Sequence, residues 1–191
     1  MERSDDELID AFEQGDEQAF TVLLDRHLPA VYSFAYRLVG SKEAAEDVAQ
    51  DTFLKAWKNL KRFKRGMKMK TWLLAIARNT AIDDLRKKRP TLFSAFKTDE
   101  DDSEFEQRLP DTGPSAEDLL DEKFAGERLE GALSKLSPIY REVILLHYRE
   151  GLTLDETARA LGIPLNTAKS RDRRALMALR KHLEHLEPGG E

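Results

Sequence analysis

The chain has no cysteine in 191 residues, which excludes disulfides and thiolate–metal sites. Histidine is scarce as well, with four. His182 and His185 stand three apart near the C-terminus, where surface positions are the expectation. No metal and no cofactor are expected. No apolar run reaches the roughly 20 residues that span a bilayer. The acidic start MERSDDELID lacks the cationic and apolar regions of a secretory leader. A cytoplasmic protein without membrane contact of its own follows as the expectation. Glycine-rich phosphate loops, a Ser/His/Asp order near turns and metal-ligand spacings are missing too, so no enzyme is expected. Strand-like alternation is likewise lacking.

Charge is plentiful. Charged residues make up 35% of the chain and hydrophobic residues 40%, with a net charge of −5. That balance predicts a folded, helix-rich protein of one large or two small domains. The small net charge conceals segregation. Residues 55–89 hold 13 Lys and Arg against two Asp, and residues 97–122 hold 11 Asp and Glu against two cations. Residues 169–181 are basic again. Two basic surfaces joined by an acidic strap are predicted.

Along the chain, Ser4-Asp-Asp-Glu7 is a capping box that opens a helix ending at Gly15. Asp16 is placed to cap a second helix running to about His27. Pro29 suits the first turn of a third, which Gly40 ends. Phe12, Phe20, Leu23, Leu24, Val31, Phe34, Ala35 and Leu38 are the expected core of this part. Ser41 caps a long helix over 42–60, whose core face is Ala45, Ala49, Thr52, Phe53, Ala56 and Leu60. Its outer face carries Asp47, Gln50, Asp51 and Leu54, with Trp57 beside them. Exposed apolar side chains among carboxylates suit a protein partner, because carboxylates repel phosphate.

The basic loop KRFKRGMKM over 61–69 leads into the run KTWLLAIARNTAIDDLRKKR over 70–89. Thr71 is the expected cap of that helix, and Leu74, Ala77, Ala81 and Leu85 form its core stripe. Trp72, Ile76, Asn79, Asp83 and Arg86 share the opposite face, and Arg86-Lys87-Lys88-Arg89 closes the helix. An aromatic, an amide and cations together suit single-stranded or melted nucleic acid.

After Pro90 the periodicity fails, and residues 91–116 are expected to form an acidic flexible linker. Helical patterns return over 116–136 and from Ser137-Pro138 to Gly151, with Val143, Ile144, Leu145 and Leu146 buried. A second capping box, Thr153-Leu-Asp-Glu156, opens a short helix that ends at Leu161-Gly162. From Pro164 a long helix carries Asn166, Thr167, Lys169, Ser170, Arg171, Arg173 and Arg174 near its start. Short helix, glycine turn and long basic helix make a helix-turn-helix. Asp172 falls among the core-face residues Ala168, Ala175, Leu176 and Leu179. It is expected to be an edge carboxylate paired with Arg141, Arg149 or Arg159.

Four motifs occur in order: AAEDVAQDTFLKAW over 44–57, TWLLAIARN over 71–79, YREVILL over 140–146, and GIP with TAKSR over 162–171. In these the chain resembles the extracytoplasmic-function sigma factors of the sigma-70 family. The resemblance implies an all-α protein of two helical domains, with a sigma-2 domain over 1–90 and a sigma-4 domain over 117–187. It implies a sigma factor that binds core RNA polymerase and directs promoter-specific initiation, held in check by an anti-sigma factor.

By position, Asp47, Gln50, Asp51, Leu54 and Trp57 would meet the β′ clamp helices. The β flap is a further implied contact. Phe63, Lys64, Arg65, Lys68, Lys70, Trp72, Arg78, Asn79, Asp83, Arg86 and Lys87 would read the promoter −10 element, where one base is flipped into a pocket. The helix from Pro164 would read the −35 element in the major groove, and the linker would thread toward the polymerase active-site channel. Two departures stand out: Met67-Lys-Met-Lys70 where the family often has a polar or aromatic loop before Thr71-Trp72, and Asp172 where the family usually has an aliphatic residue. The rival reading is a helix-turn-helix regulator of the response-regulator type, which would need an α/β domain upstream.

Overall fold

Reciprocal capping starts the first helix, α1 (Asp5–Glu13). The Glu7 N–H donates to Ser4 Oγ at 3.3 Å, and the Ser4 N–H donates to Glu7 Oε2 at 2.6 Å. The coordinates are a computed structural model that describes residues 3–88 and 127–184. Every regular element among the described residues is helical, and the chain divides into two compact units, the first made of Met1–Pro90 with Arg159–Gly162. The expected acidic linker over 91–116 lies outside the described residues.

In the first unit α2 (Glu17–Val39) packs on α1, on α3 (Lys42–Asn59) and on α4 (Met69–Lys88). The expected break before Pro29 does not occur, because α2 is one helix with Pro29 inside it. Proline removes one backbone donor. The buried stripe Leu23, His27, Val31, Phe34 and Leu38 nevertheless runs across that position without a change of face, so packing holds both halves on one axis. Asp16 stands at the N-cap of α2 without a side-chain cap bond. Its carboxylate lies 3.4 Å from Arg3 instead. Gly40 ends α2 in the left-handed conformation, φ 76°, and its N–H donates to the Tyr36 carbonyl. Ser41 caps α3 through the Ala44 N–H.

The core of this unit is Leu8, Leu23, Phe34, Ala45, Ala56, Leu60, Leu73, Leu74, Ala77 and Ala81, all essentially inaccessible. Phe12, Phe20 and Leu24 are only half-buried. The start of α4 also differs from expectation. The helix begins at Met69, the Trp72 N–H bonds to the Lys68 carbonyl, and Thr71 is buried inside the first turn. Thr71 thus fills a core position, and its hydroxyl has no hydrogen-bond partner.

In the second unit α5 (Glu127–Lys135) and α6 (Pro138–Ile144) precede a π turn over Leu145–Arg149. α7 (Leu154–Leu161) and α8 (Leu165–Glu184) follow in the chain. α8 packs on α5 and α6 around Ala132, Leu133, Leu136, Ile144, Ala175, Leu179 and Leu183. Arg141 closes the end of α5. Its guanidinium donates to the carbonyls of Leu133 and Leu136 at 2.9 and 3.0 Å and to that of Ser134. The second capping box is formed: the Thr153 N–H reaches Glu156 Oε2 at 2.8 Å, and the Glu156 N–H reaches Thr153 Oγ1 at 3.2 Å. α7 ends in a Schellman turn, with Gly162 at φ 69° and bonds from Ile163 to Ala158 and from Gly162 to Arg159. That turn sets the entry of α8.

Candidate nucleic-acid and protein interfaces

Where α3 crosses α4, the seam between them opens into a cavity of about 380 Å³ lined by Lys55, Asn59, Arg62, Trp72, Asn79 and Thr80. Trp72 is half-buried and Asn79 is exposed at the rim. The Lys55 ammonium crosses the seam to donate to Thr80 Oγ1 at 2.8 Å. Asn59 Nδ2 donates to the Lys55 carbonyl at 2.8 Å, so its amide oxygen is the end left to accept. The Arg78 guanidinium donates to Asn79 Oδ1 at 3.3 Å, which leaves the Asn79 NH₂ as its donor end. The cavity therefore offers donors, one acceptor and an aromatic wall. That is the chemistry of a nucleobase site.

Of this lining the sequence reading named Trp72 and Asn79 and placed Arg62 in the basic loop, but it did not place Lys55, Asn59 and Thr80 here. Lys55 and Asn59 are one turn apart on α3, with Arg62 shortly after. That polar stripe was the available signal, but only the crossing of α3 and α4 turns it into a wall.

The basic loop before α4 holds its side chains in different environments. Phe63 is buried, at 8% exposure, and meets the Trp72 ring edge-on with centroids 5.4 Å apart. It therefore supports the aromatic wall and is not available as an exposed stacking residue. Lys64 and Lys68 are exposed, and Lys70 is half-buried. Arg65 turns away from the cavity toward α1. Its Nη1 donates to the Asp6 carbonyl at 3.2 Å, and its Nη2 reaches Asp10 Oδ1 and Glu13 Oε2 at 2.5 and 3.3 Å. Asp83 pairs with Arg86 at 3.0 Å and lines an adjoining cleft with Asp47, Asp51, Asp84 and Lys87, walled by the same Lys55 and Thr80 that line the cavity. Arg86 and Lys87 are exposed at the end of α4, and Arg78 is half-buried.

The outer ridge of α3 separates two surfaces. Gln50, Leu54 and Trp57 border an apolar groove of about 970 Å³ between α2 and α3, floored by Phe20, Leu24 and Phe53. Leu54 and Trp57 are 48% and 49% exposed, which is unusual for such side chains beside a groove. This explains the half-burial of Phe20 and Leu24, whose i, i+4 stripe on α2 continues through Leu28 to Tyr32. Asp47 and Asp51 are exposed on the other flank, facing Asp83, Asp84 and Lys87.

On α8, Asn166, Lys169 and Arg173 form one exposed row at i, i+3 and i+7. Thr167, Ser170, Arg171 and Arg174 are half-buried, and the Ser170 hydroxyl donates to the Thr167 carbonyl at 3.1 Å. Asp172 is 9% exposed and is not paired with the expected arginines. Its partner is the Tyr148 hydroxyl at 3.2 Å, and its Oδ1 has no hydrogen-bond partner. Arg141 is committed to the α5 carbonyls, and Arg149 lies 3.5 Å from Glu130. Burial pushes the Asp172 carboxyl above its ordinary range, while His147 and the Tyr148 hydrogen bond pull the other way. Burial and the Asp172 charge likewise push the Tyr148 phenol up.

A helical bundle with a polar cavity, together with a helix-turn-helix bearing a polar, basic row, defines a DNA-binding transcription protein. Residues 23–91 match Sigma-70 region 2, and residues 126–179 match Sigma-70, region 4. The chain is 35% identical over 175 residues to the ECF RNA polymerase sigma factor SigW of Bacillus subtilis (strain 168), covering 91% of this chain and 93% of that protein. It is 32% identical over 173 residues to SigX of the same organism, covering 89% and 86%. Among solved structures it resembles the sigma factor RpoE of Bartonella quintana in complex with the anti-sigma factor NepR, with a TM-score of 0.64 and 30% identity over 88% of this chain and 98% of that one. CnrH in complex with the cytosolic domain of CnrY aligns with a TM-score of 0.67 at 27% identity, over 94% and 97%. The chain belongs to the ECF RNA polymerase sigma factors and is a transcription initiation factor, as its motifs implied. No described helix is long and apolar enough to cross a membrane.

Proposed function

We propose that residues 1–90 act as the sigma-2 domain and 117–187 as the sigma-4 domain of a factor that directs core RNA polymerase to −10 and −35 promoter elements in the cytoplasm. The observation that carries this reading is the cavity between α3 and α4, with its aromatic wall, its amides and the basic loop beside it. One unstacked base of the melted non-template strand would enter it, stacked on Trp72 and read by Asn79. Lys64, Lys68, Lys70, Arg86 and Lys87 would hold the flanking phosphates. The exposed row on α8 would read the −35 major groove.

Leu54, Trp57 and Gln50, with Asp47 and Asp51 beyond them, would form the polymerase contact, because they combine apolar anchors with carboxylates that DNA would repel. The same apolar groove suits an anti-sigma factor, the kind of partner bound to the similar RpoE. Occupying it would compete with polymerase. Two weak readers on one tether act together only when both sites have the right spacing, which gives avidity without tight binding by either.

Transcription with core polymerase on a randomised promoter library tests the reading. Enrichment of two separated elements at fixed spacing is expected. Specific duplex binding by the protein alone, with no dependence on core polymerase, would instead favour a conventional helix-turn-helix regulator.

A further inference from the structure

We infer that Arg65 is a positioning residue. It pins the basic loop to the acidic face of α1 and thereby sets the wall of the base cavity without contacting DNA. This inference rests on the reading of the α3/α4 cavity as the −10 base site.

By composition Arg65 belongs with the loop's phosphate-binding cations. Its geometry says otherwise. The guanidinium meets three carboxylates spaced along α1: Asp6 at 3.7 Å, Asp10, and Glu13 at 3.3 Å. It also donates to the Asp6 backbone carbonyl. A planar fork with five donors matches that set in a way a lysine would not. Asp6, Asp10 and Glu13 recur at i, i+4 and i+7, so they form one row on α1.

The loop around Arg65 is built to accept this anchor. Gly66 follows it at φ 91°, a conformation that L side chains rarely adopt, and the Met67 N–H closes a turn on the Lys64 carbonyl. That turn sends the Arg65 side chain to α1. Two residues earlier in the loop, Phe63 is pressed edge-on against Trp72, the aromatic wall of the cavity. α1 is therefore linked to the cavity by a short chain: the acidic row, Arg65, the turn, Phe63, Trp72. α1 in turn is held on α2 by Asp5, which accepts from Arg26 and faces His27 Nε2 at 2.9 Å.

The two roles predict opposite responses to neutralising α1. If Arg65 holds a phosphate, removing competing carboxylates frees it and strengthens DNA binding. If Arg65 positions the loop, removing them releases Phe63 and Trp72 and blurs base discrimination.

The test uses holoenzyme assembled with core RNA polymerase and single-stranded −10 oligonucleotides carrying each of the four bases at every position. Affinities are measured across a salt series. For Arg65→Ala and for Asp10→Asn combined with Glu13→Gln, discrimination at the captured position should fall by about fivefold, the scale of a partly exposed ion network. The salt slope of Arg65→Ala should stay that of the parent. Exchanging the charges, Arg65→Glu with Asp10→Arg, should recover part of the discrimination, which a phosphate contact could not do.

A salt slope lowered by about one in Arg65→Ala, with tighter binding and intact discrimination in the α1 variant, would make Arg65 a phosphate contact and overturn the inference. Unchanged discrimination in every variant would overturn it as well. Asn79→Ala serves as the separate control: if it leaves base preference intact, the reading of the cavity fails, whatever Arg65 does.

Discussion

The Tyr148 hydroxyl donates to Asp172 Oδ2 at 3.2 Å, linking the π turn to the inner face of α8. It is the only hydrogen bond of that carboxyl among the described residues, since Oδ1 is buried without a partner. A buried, half-satisfied carboxylate costs stability. Burial raises its folded-state pKa above the ordinary value of 3.8. A raised carboxyl pKa means that the native state favours the protonated form. Its favourable contribution is complete below the ordinary pKa and lost as pH rises through the folded value.

Asp172→Asn should therefore stabilise the protein at pH 7 by up to about 1 kcal/mol, with the gain shrinking as pH drops toward the ordinary carboxyl range. Tyr148→Phe should destabilise it by about 1–3 kcal/mol at pH 7, because the ionised carboxylate loses its donor. Thermal unfolding across pH checks both. A Asp172→Asn variant that is less stable at neutral pH would show a carboxylate better satisfied than its single bond indicates.

The amide of Asn79 is held by Arg78 so that its NH₂ is the free donor at the cavity rim. Asn79→Ala should change base preference at one −10 position by about 1–3 kcal/mol of discrimination while polymerase assembly persists. Binding of holoenzyme to oligonucleotides with each base at each position reads this directly. An unchanged preference would remove Asn79 from the reader.

The ridge of α3 yields a prediction about protein binding. Leu54→Glu places a charge at the apolar groove, and Asp51→Arg reverses a charge on the opposite flank. Each should abolish holoenzyme assembly in a pull-down, because anchors in an interface core and flanking charges both contribute to docking. Binding of an anti-sigma partner in the groove should be far more sensitive to Leu54→Glu than to Asp51→Arg. Retained assembly in both variants, with promoter binding lost, would transfer this ridge to DNA recognition.

The helices were legible because their signals are local. Ser4 with Glu7, Ser41, Thr153 with Glu156, Gly40 and Gly162 all act within a few residues of the ends they mark. Pro29 misled because its local meaning was overruled by the buried stripe on both sides of it. The partner of Asp172 was missed for a related reason. The π turn at 145–149 shifts Tyr148 relative to an ordinary helical count, and nothing in the sequence announces that turn. The lining of the α3/α4 cavity was legible where one helix face carries it, as with Trp72 and Asn79. It was not legible where two helices build a wall, as with Lys55 and Thr80, and neither were the α1 partners of Arg65. Sequence spacing reports a face of one helix, and it does not report which neighbour that face meets.

α8 offers the sharpest division between exposed and covered side chains for testing a −35 role. Asn166, Lys169 and Arg173 lie in one exposed row, whereas Thr167, Ser170, Arg171 and Arg174 are partly covered. Ser170 already spends its hydroxyl proton on the Thr167 carbonyl, so Ser170→Ala should change −35 binding little. Lys169 and Arg173 differ in chemistry. The lysine is a point charge suited to phosphate, and the arginine is a planar fork suited to the O6/N7 edge of guanine. Lys169→Ala should weaken holoenzyme binding evenly across −35 variants and lower the salt slope by about one. Arg173→Ala should relax specificity at one position by about 1–3 kcal/mol. Arg173→Lys should recover affinity but not specificity, because the bidentate geometry is gone. The measurement is a salt series on promoters substituted singly through the −35 element. Equal, sequence-independent losses for Lys169→Ala and Arg173→Ala would make both residues phosphate contacts. Base reading would then fall to Asn166 and the half-covered Arg171, whose replacement should in that case relax specificity instead.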